Sequence, residues 1–173
     1  IDFTDTATAF AHKSDEDLKK TARLFQLMNQ PWLVNVGSKL GVFAVKARLP
    51  LIESIIKSTI YEQFVGGTTL LESQPTIDLL WKHGVATILD YGVEAKQNEL
   101  DFNHTMNENI RALEFAAQNP SVPVVSTKIT GLARFGLLES IQAGEPLNSE
   151  TRKEYRNVLK RMESAVPSFA LTV

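Results

Sequence analysis

Apolar positions recur along this chain with two different periods, and the change falls near residue 85. Before it, the period is helical. Ser14 is a candidate N-cap, and Asp15, Glu16 and Asp17 follow in the first turn, where the helix dipole favours acids. Asp17 stands at the third helical position, where a capping box prefers Glu or Gln. Leu18, Ala22, Phe25 and Met28 then repeat at helical spacing, and Asn29-Gln30-Pro31 closes this helix and opens the next. Leu33, Val36, Leu40, Phe43, Ala44 and Ala47 form the apolar stripe of a second helix over residues 32–48. Pro50 opens a third segment with Ile52, Ile55, Ile56 and Ile60, which stops at Gly66-Gly67. Thr69 caps a fourth, with Leu70, Leu71, Ile77, Leu80 and Trp81 on its apolar side; Pro75 predicts a kink or a late start there.

After residue 85 the pattern alternates. Val85 to Val93 is short, β-branched and apolar, the signature of a buried strand. Residues 98–118 form an amphipathic helix through Leu100, Met106, Ile110, Leu113 and Ala117, closed by Asn119-Pro120. Val122 to Ile129 reads as a second strand. Helices are predicted over 135–143 and 149–164, split by Gly144, Glu145 and Pro146, with Ser149 as the cap of the latter. Val166 to Val173 is a candidate third strand. Strands alternating with helices are parallel strands joined by crossover helices. The fold class is therefore α/β, with a helical region over residues 1–84 and the beginning of a larger α/β domain over 85–173. Three strands make a poor stand-alone sheet, because a parallel sheet needs both faces covered and its edges protected. The chain starts at Ile1 and stops at Val173 inside an apolar run, so both ends are expected to be cut.

Composition narrows the function classes. The 173 residues are 43% hydrophobic and 22% charged, which excludes disordered and collagen-like chains. The net charge of −2 supplies no general attraction for nucleic acid or anionic lipid. There is no cysteine, which removes disulfides, thiolate zinc sites and thiol nucleophiles. The first ten residues carry no basic residue and no long apolar run, unlike a signal peptide. No stretch reaches the ~18 consecutive apolar residues of a membrane span. A cytoplasmic location is expected, with peripheral association with the inner membrane left open.

The chemistry gathers at the strand ends. Side chains alternate along a strand, so Ile88, Asp90, Gly92 and (if the strand stays extended) Glu94 share a face, as do Val124, Ser126, Lys128 and Thr130. Ligands of parallel α/β sheets and barrels bind at the carboxyl ends of the strands. Neighbouring strands lie ~4.8 Å apart, so Lys128 could reach Asp90 or Glu94. The group reads equally as a site for a small charged substrate or as a structural ion pair at a loop mouth.

Four stretches, AFAHKSDEDLKK, YEQFVGG, TILDYGVE and VVSTKITGLARFGLLE, make the chain resemble the proline dehydrogenases, in particular the monofunctional bacterial form. The two strand-end motifs are the specific part. The resemblance implies a TIM-type (βα)8 barrel preceded by helices, of which this chain would hold the first βα units. It implies FAD at the strand ends and L-proline oxidised to pyrroline-5-carboxylate by hydride transfer to the flavin, in proline catabolism. A quinone or another acceptor would then take the electrons. Asp90 and Glu94 match the acids of the family's D-x-x-x-E, and Lys128 matches the lysine beside the substrate carboxylate, which pairs with the first strand's acid. Gly131 stands where alanine is usual and Ala133 where glycine is common. No acid occurs in VPSFALTV, where the family's third strand delivers an aspartate beside the flavin. The flavin-contacting strands and the helix with paired arginines are expected beyond Val173, so cofactor residues are unknown and this stretch alone is expected to be inactive. The rival reading is a non-catalytic α/β interaction module.

Other signals point to ordinary structure. Gly37-Ser38-Lys39 lacks the spacing of a phosphate loop. The Asn103-His104-Thr105 sequon lies within a helix, and His104 and Glu108 share a helix face but need a third ligand to hold a metal, so no metal site is expected. Arg152, Arg156 and Lys160, with Lys153 and Arg161 nearby, read as a solvated face. Phe25, Phe43, Phe64, Trp81 and Phe115 sit in apolar stripes and are expected in the core.

Overall fold

Caps start the helices of the first half, as a computed structural model describing residues 4–169 records. Asp5 caps the short α1 (Thr6–Ala9), its Oδ1 accepting from the Thr8 amide at 3.0 Å. Ser14 caps α2 (Asp15–Met28): its hydroxyl accepts from the Asp17 amide, and Asp17 accepts from the Ser14 amide, so the box closes with Asp in place of Glu. Pro31 is the first residue of α3 (Pro31–Lys46), where a missing N–H costs nothing. The Ile-rich segment begins as α4 (Ile52–Ile56), widens into a π-helical turn at Lys57–Tyr61 and ends as α5 (Glu62–Phe64). In α6 (Leu70–Lys82) the Glu72 amide donates to Thr69 Oγ1 at 3.1 Å, the expected cap. Pro75 does not delay the start of α6 but lies inside it. The first-turn bonds, including those of Thr68 to Glu72, hold the helix start despite the donor that proline removes.

The described residues fall into two compact units, Ile1–Leu79 and Leu80–Val173. In the first, α2 packs on α3 and α3 on α4. Phe25 meets Phe64 edge to face at 6.0 Å, while Lys20–Glu62 and Thr21–Gln63 join α2 to α5. The apolar stripe of α3 is mostly uncovered, contrary to expectation: Leu40 is 62% and Phe43 65% exposed, and Ala44 is the stripe's buried member. Phe25, Phe64 and Trp81 are about half exposed as well. Helical periodicity marks which face is apolar and says nothing of whether another element covers it.

The second unit is a βαβ arrangement. β1 (Ile88–Asp90) and β2 (Val124–Ser126) pair in parallel, Ile88 with Val124 and Asp90 with Ser126, and α7 (Glu99–Ala117) crosses between them. Both strands are shorter than the sequence predicts. The chain leaves the ladder after Asp90, and Ile129–Gly131 forms a 3₁₀ turn instead of continuing β2. Nor are the strands buried throughout, since Ile88 and Val124 remain largely exposed. Asn98 caps α7 by accepting from the Asp101 amide at 2.9 Å. The buried face of α7 is Phe102, Thr105, Asn109, Ala112, Leu113 and Ala116; it shares Leu113 alone with the predicted stripe, and Leu100 lies in the open. Small and polar residues, Thr105, Asn109, Ala112 and Ala116, make up most of this buried face.

α8 (Phe135–Gln142) and α9 (Ser149–Phe169) complete the unit. Ala133, Leu137 and Val158 form its core cluster, with Leu138, Leu147 and Tyr155 packed on it. Burying Leu137 alone is worth about 2 kcal/mol. Asn148, not Ser149, caps α9, accepting from the amides of Glu150 and Thr151 at 3.0 and 2.9 Å. α9 runs on to Phe169, so residues 166–169 are helical rather than part of a third strand; residues 170–173 of that expectation lie outside the described residues.

Candidate functional site

Strand register brings Lys128 to Asp90. Asp90 is the last residue of β1 and stands opposite Ser126. Lys128 follows Ser126 by two positions with extended dihedrals, φ −91° and ψ 120°, so its side chain leaves on the same face. Its flexible stem carries Nζ to 2.8 Å from Asp90 Oδ2. Glu94 arrives by a different route from the extended one expected. The chain turns at Val93, whose amide donates to the Tyr91 carbonyl at 2.7 Å, and Ala95 takes a left-handed φ of 56°. Glu94 Oε1 ends 3.8 Å from Lys128 Nζ, inside ion-pair range but beyond a hydrogen bond.

One ammonium thus faces two carboxylates at the open carboxyl ends of parallel strands. The Asp90 hydrogen bond is the main cause holding the Lys128 ammonium above its ordinary pKa; the charges of Asp90 and Glu94 add to it, and partial desolvation opposes it. An ammonium carries three donors, and Asp90 takes one at good distance. The group is partly open, with the Lys128 side chain 35% exposed. It can therefore receive an anionic group on Lys128 while its own net charge stays negative.

Other polar side chains of the same unit pair among themselves. Tyr91 points away from Asp90, its hydroxyl 3.4 Å from His104 Nε2 on α7 and the two rings edge to face. Burial pushes the Tyr91 phenol above its ordinary pKa, and the charge of Glu108 adds to this. Arg161 is buried rather than part of a solvated row. It donates to Glu99 at 2.7 Å and to the Leu132 carbonyl at 3.1 Å, with its guanidinium 5.0 Å from the centre of the Phe102 ring. Arg134 grips Glu154 with two bonds, at 3.1 and 3.0 Å. In the sequence these arginines were hidden among ordinary surface charges. Among the described residues no group of three or more His, Asp or Glu is placed to hold a metal ion, and Glu108 pairs with Arg111 at 2.7 Å. Thr105 of the sequon is buried and bonded to the Asp101 carbonyl. Among the described residues no helix is long and apolar enough to cross a membrane.

An α/β protein with charge at its strand ends is the class these observations define, and similarity to known proteins sharpens it. Over 139 residues, 79% of this chain, it is 27% identical to a Dictyostelium discoideum protein named proline dehydrogenase 1, mitochondrial, covering 24% of that relative. It is 26% identical over 171 residues, 93% of this chain, to a hydroxyproline dehydrogenase of Xenopus laevis, covering 36% of it. Over 94 residues, 54% of this chain, it is 33% identical to the carbapenem antibiotics biosynthesis protein CarD of Pectobacterium carotovorum subsp. carotovorum, covering 25% of it. The chain thus spans about a quarter to just over a third of the length of these relatives. The two dehydrogenases are eukaryotic, whereas the motifs pointed to the monofunctional bacterial form. No family model and no solved structure matches the chain.

Proposed function

We propose that this chain forms the opening part of a proline dehydrogenase of the monofunctional bacterial type. Residues 1–84 are its N-terminal helical region, and residues 85–173 hold the first βα units of a (βα)8 barrel. The whole enzyme would oxidise L-proline to pyrroline-5-carboxylate in proline catabolism, in the cytoplasm, passing electrons to a quinone or another acceptor. The observation that carries this reading is Lys128 on Asp90, with Glu94 beside them, at the carboxyl ends of β1 and β2. Those positions match the family's two strand-end motifs, and the dehydrogenase relatives support the same reaction class.

In this reading Lys128 binds the proline carboxylate through its free donors. Asp90 keeps the ammonium charged and fixes its direction. Glu94 adds negative charge that steers the lysine and limits how far the anionic substrate can advance. FAD is the cofactor proposed for the whole enzyme, where it would accept the hydride. The strand-end group, with two carboxylates against one ammonium, has room for a single carboxylate on Lys128 but does not fit the doubly charged flavin diphosphate.

The test is proline-dependent reduction of an acceptor dye by the intact polypeptide that carries this sequence, with L-proline and 4-hydroxyproline compared. Losing a charge-assisted hydrogen bond costs about 2 kcal/mol, so Lys128→Ala should weaken proline binding roughly 30-fold. Flavin content should stay unchanged. Unaltered proline kinetics in that variant would remove Lys128 from the site, and no reduction with either amino acid would overturn the dehydrogenase reading.

A further inference from the structure

Arg161 bonds the two stretches of chain that leave the strand ends. The ladder ends at Asp90 and Ser126, so Glu94 and Lys128 both stand beyond it, on the loop of residues 91–98 and on the segment that follows β2. The loop ends at Glu99, the first residue of α7. The segment runs through the 3₁₀ turn: the Gly131 amide donates to the Lys128 carbonyl, and the Leu132 and Ala133 amides both donate to the Ile129 carbonyl, each at 2.9 Å. These internal bonds make residues 128–133 one stiff piece and leave the Leu132 carbonyl for an outside donor. Arg161 Nε fills that place at 3.1 Å, while Nη1 reaches Glu99 Oε2 at 2.7 Å and Asn103 Oδ1 at 3.4 Å. Stability alone does not call for an arginine here. The residue is buried, and its Nη2 is buried with no hydrogen-bond partner among the described residues. Buried ion pairs are commonly matched in stability by apolar residues of similar volume, and an unpartnered nitrogen adds to the cost of keeping the charge. Methionine would fill the space beside Phe102, whose ring centre lies 5.0 Å from the guanidinium. No apolar residue would bond both stretches at once.

We infer that Arg161 is a positioning residue for the strand-end site, its buried guanidinium joining the end of the loop that carries Glu94 to the end of the segment that carries Lys128. The role rests on the proposed reading of that site as the place where proline binds. The effect on Lys128 passes through the Leu132 carbonyl and the 3₁₀ turn, and the effect on Glu94 through the first turn of α7. α9 supplies the fixed point, since Val158, one turn before Arg161, sits in the core cluster with Ala133 and Leu137. Asp90 is held by the β1–β2 ladder without help from Arg161. Loss of Arg161 therefore leaves the Lys128–Asp90 bond able to form, but frees the direction in which the ammonium offers its remaining donors. A binding group held in one direction raises affinity because less order is lost when the ligand arrives.

The experiment compares the intact polypeptide with its Arg161→Met variant by two readouts. Hydrogen exchange is followed at the bonded amides on either side of Arg161: Leu132 and Ala133 in the turn, and Phe102, whose amide donates to the Asn98 carbonyl, in α7. Both groups should quicken together, and by a larger factor than the amides of α8. In steady-state kinetics the proline KM should rise, by less than the roughly 30-fold expected for Lys128→Ala, with kcat little changed and flavin content unaltered. In a Lys128→Ala background Arg161→Met should raise KM no further, because no ammonium is left to orient. An unchanged KM, the same rise with and without Lys128, or uniform quickening of exchange would each overturn the inference. Should Arg161→Met not fold, Glu99→Asp takes its place: an acid stays at the start of α7, and the shorter side chain releases Arg161 from one loop. The Phe102 amide should then quicken while Leu132 stays protected, with the same dependence of KM on Lys128. No proline turnover in the unaltered polypeptide would overturn the dehydrogenase reading instead, and exchange alone then decides whether Arg161 holds the two stretches.

Discussion

Arg161 and Glu99 meet at 2.7 Å although 62 residues separate them, tying α9 to the first turn of α7. Arg161 is 4% exposed and also donates to the Leu132 carbonyl, so one side chain joins both helices to the segment that follows the 3₁₀ turn. Removing it leaves a carbonyl and a carboxylate short of a donor and opens a space beside Phe102. Arg161→Ala should cost about 3 kcal/mol, read as a lower urea midpoint with an unchanged slope. Arg161→Lys should recover only part of this, since an ammonium cannot reach both acceptors. A loss under about 0.5 kcal/mol in Arg161→Ala would show that the pair is not coupled to folding.

Arg134 and Glu154 pin the start of α8 to α9. Their two parallel bonds need the planar guanidinium, and part-exposure weakens the charge interaction by solvent screening. Arg134→Lys should cost about 1 kcal/mol. Amide exchange in α8 should quicken more than in α7. Equal changes in the two helices would count against a local clamp.

The capping box of α2 should release in acid. Hydrogen bonds from the Ser14 hydroxyl and amide hold the Asp17 carboxyl below its ordinary pKa. A depressed folded value means the contribution is fully present above the unfolded value near ~3.9 and is lost as pH falls through the folded one. Helicity followed by circular dichroism should show an acid transition that Asp17→Asn removes. At neutral pH, Ser14→Ala should cost about 1 kcal/mol of helix stability. An acid transition unaltered by Asp17→Asn would assign it to another carboxylate.

Lys128 should make the opposite contribution at high pH. Its raised pKa stabilises the folded chain fully below the unfolded value near ~10.4, and the effect is lost as pH rises through the folded value. Lys128→Met should flatten this alkaline limb. An alkaline limb identical in the variant would mean that the strand-end pair does not contribute to folding stability.

Local chemistry was legible in the sequence wherever it acts over a few residues. The Ser14 cap, the Pro31 start, the extent of α7 and the β-α-β order depend on neighbours in the chain, and all are found. So is the encounter of Lys128 with Asp90, because side-chain alternation and parallel register decide it once two strands are granted. Tertiary structure alone decided the rest. Which face of α7 is buried depends on where its neighbours lie, and they cover Thr105 and Ala112 rather than Leu100. The exposure of Leu40 and Phe43 reflects missing cover, which no periodicity encodes. Arg161 reads as a surface charge until Glu99 and the Leu132 carbonyl are brought to it from far along the chain.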